Sequence, residues 1–139
     1  MLDEQLKEVI EKFDLKDEKA ITFGHPKMKM KWVLPLVGVT IYSVEQFQPF
    51  FIYFDEKGIS FFPLDLNNKY KVMGKSFVDW KDLKSFKFKK GLVMEDEIQL
   101  DLNNGKIEMK IPKSKAMNKW VKENNEYLIE RNHFYNNQF

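Results

Sequence analysis

Five lysines in the middle of the chain are the residues best suited to contact a negatively charged partner. They lie in the stretch FVDWKDLKSFKFKKG, residues 77–91, where they alternate loosely with large apolar residues. Residues 66–91 hold eight lysines and two acidic residues, an excess of six positive charges in a chain whose formal charge is +2. The lysines predicted to contact an anionic surface are Lys81, Lys84, Lys87, Lys89 and Lys90.

The spacing of these lysines also permits a purely protective role. Residues 83–89 alternate, which is typical of a strand with Phe86 and Phe88 on one side and Lys87 and Lys89 on the other. Lysine on an exposed edge strand prevents pairing with other chains. Both interpretations stay open. The alternation does disfavour nucleic acid, because it places the aromatic rings opposite the lysines, where bases would not stack on them.

The remaining residues with chemical potential form no catalytic or metal-binding pattern. His25 and His133 are single histidines far apart in the sequence, and we expect them to be ordinary surface or turn residues. The run Glu95-Asp96-Glu97 lacks the spaced oxygen ligands of a calcium loop, so a solvated turn is favoured. Phosphate-binding glycine loops, nucleophile elbows and zinc-binding helices are also missing from the sequence. We therefore predict a protein that is not an enzyme, with no cofactor and no metal.

The composition indicates one globular domain spanning residues 1–139. A length of 139 residues fits one domain, and 43% apolar content with 13 phenylalanines supplies a core. Cysteine is absent, which excludes disulfides. The N-terminus lacks the order of a signal peptide, and the longest apolar run, residues 32–44, is shorter than the roughly 20 residues of a membrane span. We expect a cytoplasmic protein, with association to the cytoplasmic side of a membrane as the alternative.

A helix is predicted at each end of the chain. The N-terminal helix covers residues 1–15, with Asp3 as its N-cap and an apolar stripe facing the domain. The C-terminal helix covers residues 114–135, with Trp120 as its largest anchor. Asn124 and Arg131 interrupt its apolar stripe, which suggests that part of this helix is not buried in its own domain.

Short strands joined by hairpins are predicted over residues 27–111. The alternation in KMKMKW, residues 27–32, indicates the first of them. Gly58 is expected to supply a positive φ in the loop after FFIYF. In IQLDLNNGKIEMKI, an Asn104-Gly105 turn would pair Leu102 with Ile107 and place six apolar side chains on one face.

These elements predict a mainly β fold with α, an antiparallel, partly open barrel or sandwich of about seven strands. The C-terminal helix would cap its open end, and the short N-terminal helix would be an addition.

Residues 47–130 resemble the bacterial pleckstrin-homology-like (PH/GRAM-like) domains. The stretches that carry the resemblance are FFIYFDEKGISFFPL, FVDWKDLKSFKFKKG and IQLDLNNGKIEMKI, followed by the helix from Ser114. The resemblance implies a PH-like domain. It does not lead us to expect phosphoinositide binding, because the matching first strands offer only Lys27, Lys29 and Lys31, without the arginine that binds phosphate in a bidentate manner.

We therefore predict a PH-like binding or assembly module that contacts an unknown protein partner or a second copy of itself. The C-terminal helix and any uncovered sheet edge are the expected contact surfaces. The alternative is weak, salt-sensitive binding to an anionic membrane through the lysine-rich strand face.

Overall fold

The structure is a computed structural model that describes residues 2–38, 41–91, 95–112, 119–131 and 134. Helix α1 spans Asp3–Lys12 and helix α2 spans Lys119–Glu130, so the predicted helices near the two ends are present. Between them the described chain is almost entirely antiparallel β-structure. The strands are β1 Ile21–Pro26, β2 Met30–Lys31, β3 Leu36–Val37, β4 Ser43–Val44, β5 Phe50–Phe54, β6 Gly58–Asp65, β7 Lys71–Val72, β8 Lys75–Asp79, β9 Ser85–Lys89, β10 Glu95–Leu102 and β11 Gly105–Pro112.

One large antiparallel sheet organises the molecule. Its strands follow the order β3-β8-β6-β5-β1-β11-β10-β9, and β7 adds to β6. In the described ranges the order ends at β3 and at β9, so the sheet is not closed. Seven of its strands contain five or more residues, which confirms the predicted mainly β, partly open architecture of about seven strands. The other strands contain two residues each.

Strand β1 joins the two halves of this sheet. Ile21 to Gly24 pair with β5, whereas His25 and Pro26 pair with β11. Gly24 lies at the change of partner, and a Cβ there would sit 2.9 Å from the carbonyl oxygen of Lys110. The close approach of β11 therefore requires glycine at this corner.

Aromatic rings fill the interior between the two halves. Trp32 stacks on Phe50 with ring centroids 5.1 Å apart, and Phe54 contacts Trp80 and Phe86. Beyond the end of α2, Phe134 is fully buried at 4.8 Å from Phe54. These aromatic pairs, some stacked and some edge-to-face, stabilise the fold by the apolar area that they bury and by their ring geometry.

Helix α2 packs on β1 through polar as well as apolar side chains. Val121 and Leu128 are buried, Asn124 donates to the carbonyl oxygen of Ile21 at 2.9 Å, and Thr22 donates from its hydroxyl to Asn125 Oδ1. The inference drawn from Asn124 was wrong, since this residue is only 8% exposed and anchors the helix to its own domain. Arg131 is exposed and lies over the ring of Tyr127.

Helix α1 presents the predicted apolar stripe to the sheet. Val9 is fully buried, and the Phe13 ring at the end of the helix lies 4.8 Å from that of Phe62. The predicted N-cap of α1 is wrong by one residue. Leu2 is the N-cap, with a φ of 67°, and it makes no side-chain capping bond, while Asp3 is already helical.

The first long strand begins at Ile21, before the expected start at Lys27. Within KMKMKW only Met30 and Lys31 are in a strand, and Met28 is 58% exposed, so the alternation of buried and exposed residues expected over residues 27–32 is wrong. After Pro26 the chain leaves the main sheet and pairs β2 with β4. Trp32 ties this small sheet to the domain, because its Nε1 donates to Ser76 Oγ at 3.0 Å.

Two hairpin details differ from the sequence prediction. Gly58 is the first residue of β6, and it is not at positive φ. It is needed because a Cβ would lie 2.0 Å from the carbonyl oxygen of Val78. The last hairpin turns at Asn103-Asn104 and pairs Leu100 with Ile107, two residues from the predicted register. Gly105 instead starts β11, where a Cβ would lie 2.7 Å from Val33 Cγ1. A shift of two keeps the apolar side chains on one face.

Candidate protein-contact site

The predicted lysines lie on and around β9, the strand that ends the large sheet. β9 pairs with β10 on one side, with Lys87 opposite Gln99 and Lys89 opposite Glu97. In the described residues no strand lies on its other side. An edge of this kind presents backbone N–H and C=O groups with which another extended chain can pair.

All five predicted lysines are exposed, and their apolar neighbours point inward. Phe86 is buried, and Phe88 is partly buried. The two rings contact Phe134 at 5.8 and 4.9 Å. The predicted separation of lysine side and aromatic side along this strand is therefore confirmed.

A short helical turn connects β8 to β9. Residues 80–82 form a 3₁₀ turn in which Asp79 accepts from the Lys81 backbone N–H at 3.0 Å. The indole of Trp80 donates to the carbonyl oxygen of Asp55 at 2.8 Å and its ring lies 5.5 Å from Phe86. Lys81 thus projects from a rigid corner, and Lys84 follows at the start of the strand, where its backbone N–H bonds to Asp101.

The neighbouring strand β10 places polar and acidic groups beside the lysines. Lys89 Nζ lies 3.5 Å from Gln99 Oε1, and the Ser85 hydroxyl donates to Asp101. That hydrogen bond, with smaller contributions from Gln99 and from the charges of Lys106 and Lys87, holds the pKa of Asp101 below its usual value. The exposed face of β9 is therefore basic at the edge and mixed in charge one strand further in.

Glu97 of β10 also lies close to lysines outside β9. Glu97 Oε1 lies 3.2 Å from Lys27 Nζ, and its Oε2 lies 3.5 Å from Lys110 Nζ. Burial raises the pKa of Glu97, but Lys27 and Lys110 more than compensate, so it lies below the usual 4.5. The hydrogen bond and charge of Glu97 raise the pKa of Lys27.

Two expectations for this region are wrong. Glu95-Asp96-Glu97 begins β10 and is not a solvated turn, since Asp96 and Glu97 are buried. His25 is more than a plain surface residue, because its Nε2 lies 3.1 Å from Glu95 Oε2 in a partly buried pair. His133 lies outside the described residues.

The other lysines of the basic segment lie elsewhere on the sheet. Lys71 and Lys75 belong to β7 and β8, and Gln5 of α1 donates to the carbonyl oxygen of Lys69. Along the sheet order four strands separate β6 from β9, and five separate β8 from β9. The excess of positive charge in residues 66–91 is thus divided between two parts of the surface, and only one of them is the β9 edge.

Sequence reasoning identified the five lysines but missed the acidic groups that flank them. The signal was present, because pairing the alternating residues of β9 and β10 places Glu97 opposite Lys89 and Asp101 opposite Ser85, on the lysine face. Among the described residues there is no cluster of three or more histidine, aspartate and glutamate side chains suited to a metal ion.

Searches of protein-family models, curated proteins and solved structures returned no match to this chain. No helix in the described part of the chain is long and apolar enough to cross a membrane.

Proposed function

We propose that this chain is a non-enzymatic, PH-like module that binds an extended acidic segment of a protein partner along β9. The observation that carries the proposal is the position of β9 at the end of the sheet, with exposed lysines on and beside it. The PH-like assignment is supported by the seven longer antiparallel strands followed by a C-terminal helix.

Strand addition suits this edge. A partner strand would form main-chain hydrogen bonds with β9, and its alternate side chains would face Lys87 and Lys89 on one side and Phe88 on the other. Opposite charges directly across two strands contribute about 0.2–1 kcal/mol per pair. A segment that alternates acidic with apolar residues therefore fits better than a neutral one.

Helix α2 is less suited than β9 to contact a partner. Val121, Asn124, Asn125 and Leu128 are buried, so the apolar stripe of α2 is occupied inside its own domain. This burial supports the sheet edge over the helix as the contact surface.

The direct test measures fluorescence anisotropy of a labelled heptapeptide of alternating Glu and Val. We expect saturable binding that is lost for a peptide of alternating Lys and Val. The double variant Lys87→Glu, Lys89→Glu should bind about tenfold more weakly or worse, because two attractive pairs become repulsive. The matched control is Lys69→Glu, Lys71→Glu, which makes the same charge change on the β6–β7 side and should bind as the parent does.

A second peptide separates strand addition from simple charge attraction. N-methylation of alternate residues removes the amide donors on one edge of the peptide and leaves its charge unchanged. We expect this peptide to bind no better than the basic one. Unchanged affinity of the methylated peptide, or of the β9 double variant, would contradict the proposal.

The occupant of the edge can also be a second copy of this chain, and light scattering after size exclusion distinguishes that outcome. A monomer at all concentrations agrees with a separate partner. A concentration-dependent dimer that the β9 double variant abolishes would reassign the edge to self-assembly.

A further inference from the structure

A row of three side chains crosses the sheet on the side covered by α1. Tyr53 of β5 lies directly opposite Ser60 of β6, and Ser60 lies directly opposite Phe77 of β8. Residues paired in this way project from the same face of a sheet. The row therefore holds a small serine between two large aromatic residues, which leaves a slot above Ser60.

The end of α1 turns this slot into a cleft. Phe13 packs on Phe62, and the chain then reverses at Asp14, which adopts a φ of 51°. Residues 15–17 consequently run past Tyr53. The resulting cleft has a volume of about 370 Å³, with Tyr53 and Ser60 among its lining residues and Phe13 and Phe77 as aromatic walls. A volume of this size is within the range of small-molecule sites.

Two hydroxyl groups line the cleft with unused hydrogen-bonding capacity. Ser60 is only 4% exposed, and its hydroxyl has no hydrogen bond to any described residue. The Tyr53 hydroxyl accepts a long bond of 3.4 Å from the Asp17 backbone N–H, and its own proton finds no acceptor among the described residues. Burial raises the pKa of Tyr53, so this hydroxyl remains protonated and able to donate at neutral pH. The Ser60 oxygen is not among the fully buried unpaired side-chain atoms of the described residues, so it is open to the cleft, where a ligand or water can bond to it.

The charges at the mouth of the cleft favour an anion. Lys57 and Lys75 make no ion pair with any described residue, and Lys75 Nζ lies 5.8 Å from the Phe13 ring and 6.0 Å from the Phe77 ring. The lining holds three lysines, Lys16, Lys57 and Lys75, against two carboxylates, Asp14 and Asp55, which leaves a net charge of +1. Asp55 accepts from the backbone N–H groups of Lys57 and Gly58 at 2.8 and 3.0 Å, and Asp14 pairs with Lys16 at 2.9 Å.

We propose that this cleft binds a small organic anion whose carboxylate or phosphate group is carried on a planar apolar body. The anionic oxygens would accept from Ser60 and Tyr53 and lie near Lys57 and Lys75. The planar body would lie between Phe13 and Phe77. Hydroxyl and ammonium donors match anionic oxygen, and aromatic walls match a flat ring.

The experiment is a titration of the ¹⁵N-labelled full chain followed by amide chemical shifts, with benzoate and phenyl phosphate as probes. We expect saturable shifts centred on residues 53, 60 and 77 with at least one probe, and the stronger probe identifies the preferred anionic group. Benzyl alcohol has the same ring without the charge and should produce no saturable shift at these positions.

Two variants test the role of the hydroxyls. Tyr53→Phe keeps the shape of the cleft and should weaken binding about tenfold, because one hydrogen bond to a charged group is lost. Ser60→Val fills the slot and should abolish binding. If Ser60→Val fails to fold, Tyr53→Phe alone decides, and Tyr42→Phe, the same change at a side chain that is 80% exposed, is the matched control. Saturation by benzyl alcohol equal to that by the anions, or no saturable shift with either anion, would overturn the proposal.

Discussion

At the scale of single residues, position in the sheet decides the role of each charged group. Asp96 has the same parity along β10 as Ile98 and Leu100, so it points inward and is buried, accepting from the Gly91 backbone N–H at 3.0 Å. Glu97 has the opposite parity and meets Lys27 and Lys110. The sequence contained this information, because the alternation that begins at Ile98 extends backward into the acidic run. Composition alone suggested a turn.

Replacement of Glu97 by glutamine should make the free energy of unfolding change less as the pH falls into the acid range. The pKa of Glu97 is lowered in the folded protein, so its contribution is present above 4.5 and disappears as the pH falls through the folded pKa. We expect Glu97→Gln to lose about 1 kcal/mol of unfolding free energy at neutral pH and to match the parent in acid. Urea denaturation followed by tryptophan fluorescence over a series of pH values measures the difference.

The control for that measurement is Glu123→Gln, a change at an exposed position of α2. This variant should follow the parent at every pH. A constant difference between the parent and Glu97→Gln from neutral pH to acid would show that the carboxylate charge is not responsible.

At the scale of elements, hairpins were predicted well and registers less well. The last hairpin joins β10 and β11 as expected, yet its turn is Asn103-Asn104, and Gly105 starts β11 against Val33. The alternation restricts register only to steps of two, since each such step keeps the same face. The observed register places Asn104 and Gly105 against Val33, a residue distant in sequence, and no local pattern reports that contact.

Phe134 should stabilise the whole barrel although it lies beyond α2. Its ring is fully buried and lies within 6 Å of the rings of Phe54, Phe86 and Phe88, so it closes the inner side of β9. We expect Phe134→Ala to lower the free energy of unfolding by about 3–5 kcal/mol, the usual cost of removing a buried phenylalanine. Chemical denaturation measures this change.

Phe47→Ala is the matched control, because it makes the same substitution at a side chain that is 70% exposed. It should change stability by less than about 0.5 kcal/mol. Equal effects of the two substitutions would mean that Phe134 is not a core residue.

At the scale of the molecule, the sequence predicted the architecture and, of the candidate site, the lysine side of β9. Alternation and turn residues identified most of the long strands, two helices and the lysine side of β9. The pairing of β1 with both β5 and β11 depends on contacts between distant segments. The cleft beneath α1 depends on residues 53, 60 and 77, which belong to three strands and become neighbours only when those strands pair. Patterns within one segment do not contain such information.

Charge across the whole molecule also separates protein binding from binding to an anionic membrane. Five lysines lie on or beside β9, but Glu97 and Asp101 of β10 carry opposite charge on the same face. At about 1 kcal/mol for each lysine near an anionic surface, the five lysines give at most about 5 kcal/mol, the carboxylates beside them lower this value, and physiological salt reduces it further. We expect co-sedimentation with phosphatidylserine vesicles at low salt and none above the level of neutral vesicles at physiological salt. If binding to anionic vesicles persists at physiological salt and disappears in Lys87→Glu, Lys89→Glu, the lysines of β9 serve a membrane surface and the acidic protein segment is not their partner.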